Sequence, residues 1–160
     1  MIMSEKLEKA VSLLAEWTKG SSQPTPNRID ISISADDVVA AASALAKVHW
    51  GFLSAITGLD QGEAAGKIEA LFHFCAGADV LTLRVPLDRA APTLPSVSSV
   101  IPGARVLEWE LSEMFGVNVA ESQNKKHLYL PDDWPEGLYP MRKDAVIELD
   151  EDRLVSRAAV

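Results

Sequence analysis

The sequence predicts an α+β fold: a two-layer sandwich of helices on a mixed or antiparallel sheet, followed by an extended C-terminal tail. Three observations carry that reading. The chain runs helix, strand, helix and then several strands in succession, the order that sets helices against one face of a sheet. The strand-like runs are joined by short glycine-containing connections, as in an antiparallel meander. Beyond Gly116 no helical or strand period continues to the end. The division that follows is an α/β domain over residues 1–120, with a late helix at about 104–115, and an extended partner-binding tail over 121–160. A chain of 160 residues is long enough to bury a real core, and its 48% apolar and 24% charged residues are those of a globular protein.

Each element has a local reason. SEKLEKAVSLLAEWTK (4–19) opens on Ser4 as a helix N-cap, with Leu7, Val11, Leu14 and Trp17 forming an apolar stripe. GSSQPTPN (20–27) breaks it, Gly20 acting as the stop and two prolines preventing continuation. RIDISIS alternates strictly and places Ile29, Ile31 and Ile33 on one face of a half-buried strand. ADDVVAAASALAKVHW (35–50) reads as a second helix, with Asp36 or Asp37 near its positive N-terminal end. Three strand-like runs follow, GFLSAITGLD, KIEALFHFCA and DVLTLRVPLD, separated by QGEAAG and GA. After Asp88 three prolines interrupt the pattern, a short helical turn is expected near Ser96 to Val100, and a firm helix runs from about Ala104 to Phe115. It presents Leu107, Leu111, Met114 and Phe115 on one side, and Gly116 suits its C-terminus.

The composition excludes several functions. A net charge of −8 argues against nucleic acid, which selects a basic face. A single cysteine, Cys75, rules out an internal disulfide and a cysteine-ligated cluster built by this chain alone; inside an apolar strand it reads as a buried, inert thiol. No apolar run approaches the roughly 18–20 residues needed to cross a bilayer, and the N-terminus looks helical rather than signal-like, so a soluble intracellular protein is expected. His49, His73 and His127 form no HxxxH pair, and His73 in its strand reads as satisfied or solvent-facing. No dinucleotide, P-loop or nucleophile-elbow motif occurs.

The acidic set Glu108, Glu110 and Glu113 on the late helix leaves two readings open. One of them, with Glu110 and Glu113 as an acid/base pair, could be a general acid with a raised pKa. Alternatively, cations satisfy them: Arg105, the later Arg142 and Lys143, or a partner protein. For the chain as a whole, a stand-alone regulatory binding module is an alternative function. Of the tryptophans Trp17, Trp50, Trp109 and Trp134, the last sits in PDDWPEG, outside any core pattern, and is of the type enriched at interfaces.

VLEWELSEMFGVNV, followed by LYLPDDWPEGLYPMRKD, resembles the thirty-kilodalton subunit family of respiratory complex I NADH dehydrogenase. It is similar also to the matching subunit of energy-converting membrane-bound NiFe hydrogenases. The family's Glu-Arg-Glu triplet is Glu108-Trp109-Glu110 here, its acidic-Met/Leu-Phe-Gly step is Glu113-Met114-Phe115-Gly116, and its Pro-Leu-Arg-Lys-Asp is Pro140-Met141-Arg142-Lys143-Asp144. LPSVSSVIPGA and the strand ending in Asp60 fit as well. Two departures stand out: Trp109 replaces the middle arginine, and Glu121-Ser122-Gln123 with Lys126 and His127 replaces a Gly-His-Pro and two arginines.

The resemblance implies a cofactor-free peripheral assembly subunit of a membrane-anchored electron-transfer complex. It would dock beside a hydrogenase-like large subunit and a small iron–sulfur subunit, on the cytoplasmic face of the cell membrane, meeting the membrane only through its complex. Iron–sulfur clusters, and NADH or a NiFe centre, would belong to partner subunits. The tail would be an arm completed by another chain, with Glu108, Glu110, Glu113, Trp134, Tyr139, Pro140, Met141, Arg142, Lys143 and Asp144 as partner-binding residues.

Overall fold

The computed structural model describes residues 3–120 and 127–147. Helix α1 (Glu5–Leu13) begins at Ser4, whose hydroxyl accepts from the Leu7 N–H and donates to Asp79. It is shorter than the sequence pattern because the bonds of Ala15 and Trp17 reach back only three residues, to Ser12 and Leu14, tightening the chain out of the α-helical path.

Strand β1 (Gly20–Thr25) occupies the stretch expected only to break the helix. It is an edge strand, antiparallel to β2 (Arg28–Ser32), with an irregularity between Ser22 and Thr25 that accommodates Pro24. Its side chains are nearly all exposed, so it carries no hydrophobic signal; pairing alone makes it a strand. A 3₁₀ turn at Ala35–Asp37 precedes α2 (Val38–Lys47), so Asp36 and Asp37 stand just before the helix.

The meander follows as β3 (Phe52–Asp60), β4 (Lys67–Ala76) and β5 (Asp79–Asp88), antiparallel throughout. The sheet order is β1-β2-β5-β4-β3, and β2 runs parallel to β5, so the sheet is mixed. Ile29 and Ile31 lie level with Leu81 and Leu83, which in turn face Phe74 and Phe72. This row is buried beneath the helices together with Leu7, Leu14, Ala41 and Leu45. Full burial of a side chain such as Phe72 contributes about 2–3 kcal/mol.

The other sheet face is half-exposed and polar. Arg28 and Arg84 flank the buried Asp30, Arg84 also meets Glu69, and His73 lies between Thr57 and Thr82. Burial therefore depresses the His73 pKa, with a smaller push from Arg28. Cys75 is on this face and only half-buried, because the alternation of β4 turns it away from Phe74; the expectation of a buried thiol is corrected accordingly. A two-residue strand β6 (Thr93–Leu94), helix α3 (Ala104–Phe115) and strand β7 (Asn118–Val119) complete the domain. β6 and β7 pair in parallel and bury Leu94 and Val119, which anchors both ends of the segment carrying α3.

Helix α3 lies over edge strand β3 and sets where the C-terminal segment is fastened. Phe115 covers Gly58, where any Cβ would collide with the phenyl ring. The close approach of helix and strand thus requires glycine at that position.

Candidate functional site: the C-terminal strap on its own domain

The segment 127–147 returns across the end of α3 to the edge of the sheet and is fastened there at three places. The first is Glu113, on α3, whose side chain is only 4% exposed. Its Oε1 accepts from Leu128 N–H at 2.8 Å and lies 3.0 Å from His127 Nδ1, while Oε2 accepts from Tyr129 N–H at 2.9 Å. A longer bond from Leu130 N–H completes the set. Burial works to raise this carboxyl's pKa, but the donors from Tyr129, Leu128, His127 and Leu130 outweigh it and hold it below the usual value. A carboxylate so held is a poor proton donor at neutral pH. The acid/base reading of Glu110 and Glu113 is therefore not favoured.

The second place is the C-terminus of α3, where the last carbonyls of a helix lack intrahelical partners. Met141 N–H donates to the Met114 carbonyl at 3.1 Å and Arg142 Nε to that of Phe115 at 2.8 Å. The cation also suits the negative end of the helix dipole. Gly116 ends the helix at φ +70, and a Cβ there would collide with the Tyr139 ring, over which the Arg142 guanidinium sits at 4.8 Å. Gly116 is thus required twice, by its backbone and by the ring it admits.

The third place is Asp60, at the end of β3. It receives Arg89 Nε and Nη2 at 2.8 and 2.9 Å, and the N–H groups of Gly62 and Lys143 at 2.9 Å each. Arg89 in turn bonds Asp144. The Arg89 side chain, foremost, and the two N–H donors hold the Asp60 carboxyl far below the usual range despite its burial.

Other expected residues lie elsewhere. Glu108 is 1% exposed and accepts from Val97 N–H at 2.6 Å and Ser96 Oγ at 2.7 Å. It ties the 96–98 turn to α3 and cannot reach a partner. Within this chain the Glu108 carboxylate is taken up by that turn and the Glu113 carboxylate by the strap's own donors. Trp134 is half-buried, donates from Nε1 to the Leu138 carbonyl, and faces Trp109 across an open cavity of about 400 Å³ also lined by Leu130 and Pro135. Glu110 and Pro140 are half-buried, and Met141 is exposed at 58%.

Six of the ten expected residues, Glu113, Tyr139, Met141, Arg142, Lys143 and Asp144, therefore meet at the strap, through contacts within the chain. Sequence reading missed Arg89 and the clasp at Asp60, for which no local pattern exists, since their partners lie 55 and 83 residues away. The departures at Glu121-Ser122-Gln123 and Lys126, and the tail from residue 148 on, lie outside the described residues. Among the described residues no set of three His, Cys, Asp or Glu side chains could hold a metal ion, and no helix is long and apolar enough to cross a membrane.

Fold and site together define a small α+β domain closed by its own C-terminal strap. The family described as "Respiratory-chain NADH dehydrogenase, 30 Kd subunit" matches residues 31–151, and the chain belongs to it. The C subunit of the NADH-quinone oxidoreductase of Moorella thermoacetica is 31% identical over 115 residues, covering 70% of this chain and 76% of that one. Formate hydrogenlyase subunit 5 of Escherichia coli K12 is 28% identical over 125 residues, 76% of this chain; that match spans only about a fifth (22%) of the larger relative. A chain of the membrane-bound sulfane sulfur reductase, an archaeal respiratory membrane complex, shares the fold with a TM-score of 0.73, at 20% identity and covering 98% of this chain and 92% of its own.

Proposed function

We propose that this chain is a peripheral assembly subunit of a membrane-anchored electron-transfer complex of the NADH dehydrogenase and hydrogenase type. It docks beside a hydrogenase-like large subunit and a small iron–sulfur subunit on the cytoplasmic face of the membrane. It holds no redox cofactor itself, and the clusters, with NADH or a NiFe centre, reside in those partners. The observation that carries this reading is the family match over residues 31–151, a span that includes most of the sheet, α3 and the strap together. The chemistry of the site agrees with it. Asp60, Glu108 and Glu113 are each committed to N–H donors of this chain, an arrangement suited to holding a shape rather than moving protons.

The test is affinity purification of the tagged full chain from its own membranes, with mass identification of what accompanies it. Recovery of a hydrogenase-like large subunit and a small iron–sulfur subunit is expected. Removing residues 131–160 should leave a folded domain that recovers neither. The full chain emerging alone, under conditions that keep such complexes intact, would sink the assembly role and favour a free-standing binding module.

A further inference from the structure

The strap turns part of its apolar surface outward. Met141 is 58% exposed although its backbone is bonded to Met114, so it extends the surface of α3. On that helix Val106, Glu110 and Met114 stand four residues apart, a row with a rise of about 6 Å between members. Val106 is 50% exposed; Glu110 and Met114 are half-buried. The row therefore reads valine, glutamate, methionine, and the backbone of a second, exposed methionine, Met141, is bonded to its last member. Among the described residues Glu110 has no hydrogen-bond or ion-pair partner, unlike Glu108 and Glu113 on the same helix. The nearest cation in sequence, Arg105, is five residues away and projects from another side of the helix.

From this row we infer that Val106, Glu110, Met114 and Met141 form a docking surface for a partner segment carrying an arginine or lysine between apolar side chains. The inference rests on the assembly role above and specifies the chemistry of one of its contacts. Covering the row with a purely apolar or acidic surface would leave Glu110 dry and unpaired, a strongly unfavourable state for a carboxylate. A cation at that point converts the same burial into a charge-assisted bond. A second copy of this chain fits poorly, since each copy carries a net charge of −8. Methionines beside the carboxylate suit such a contact, because their side chains adapt to a partner's shape. The strap also sets the surface: without the Met141–Met114 bond the row would end at the helix.

The experiment uses the full chain in its own membranes, with a photo-crosslinking amino acid replacing Val106 or, separately, Met141. Crosslinked peptides are expected to come from another subunit and to contain an Arg or Lys flanked by apolar residues. Glu110→Arg should lower recovery of that subunit by roughly tenfold or more, Glu110→Gln by a smaller factor, and exchanging the partner's cation for Glu should restore recovery with Glu110→Arg. Circular dichroism of both variants checks that the domain stays folded. Crosslinks confined to this chain, a captured segment without a cation, or recovery unchanged by Glu110→Arg would each overturn the inference while leaving the assembly role standing. If the unsubstituted chain recovers no partner at all, both fall together.

Discussion

The carboxylate of Asp60 holds the backbone N–H of Lys143 at 2.9 Å across 83 residues of sequence. Asp60 closes the edge strand β3, and Lys143 lies in a segment without helix or strand, so this bond and its neighbours give the strap its place. Arg89 spans the pair by reaching Asp60 and Asp144 at once. The result is a clasp of alternating charge, Asp60–Arg89–Asp144, in which the Asp60 carboxylate is nearly inaccessible to water.

Stability should accordingly fall on the acid side. The folded-state pKa of Asp60 is depressed, chiefly by the Arg89 hydrogen bond, so its contribution is complete above the unfolded value of about 4 and is lost as pH falls from there toward the folded value. Glu113 and Asp144, also depressed, act in the same direction. Urea midpoints measured from about pH 7 to about pH 3 should show the Asp60→Asn protein less stable at neutrality and less sensitive to acid. Superimposed curves for the two proteins would show that the clasp contributes nothing, and parallel but offset ones that Asp60 does not titrate in this range.

Glu113 gathers three consecutive backbone N–H groups, and hydrogen bonds to a charged group are worth about 1.5–3 kcal/mol each when one partner is deleted. In Glu113→Ala, amide exchange at residues 128–130 should quicken by roughly tenfold or more. Exchange in β4 and β5, the centre of the sheet, should be unchanged. A uniform acceleration throughout the chain would mean that the strap and domain unfold as one unit.

The fit of Tyr139 on Gly116 is open to a double-mutant test. Gly116→Ala imposes a left-handed backbone on alanine, costing about 1 kcal/mol or more, and in addition drives the ring off the helix end. Tyr139→Ala alone loses the ring contact and its stacking with Arg142. Combined, the two should destabilise by less than their sum, since either one already separates ring from glycine. Strict additivity would place Tyr139 elsewhere in solution.

Glu108 offers a control within the same helix. Glu108→Ala strands the Val97 N–H in a dry interior and should destabilise the domain by about 1–3 kcal/mol, read from thermal or urea unfolding. Strap exchange at residues 128–130 should not respond beyond that global loss, because Glu108 faces the 96–98 turn and Glu113 faces the strap.

The sheet and helices are legible in the sequence wherever side chains repeat with a period. Ile29, Ile31 and Ile33 announce β2, Gly-bounded apolar runs announce the meander, and Ala104 to Gly116 bounds α3 as observed. Family membership was legible as well, in the residues from Glu108 to Gly116 and from Pro140 to Asp144. Strand β1 was not legible, because a strand held by backbone pairing at a solvent edge needs no apolar pattern. Which carboxylates serve the chain emerges only once it is folded. Glu108, Glu110 and Glu113 look alike in one dimension, yet one is sealed under a turn, one receives the strap and one has no partner among the described residues. The reason is physical: a carboxylate's role is set by which N–H groups and cations reach it, and here those donors arrive from up to 83 residues away, as at Asp60. No local period encodes such a meeting.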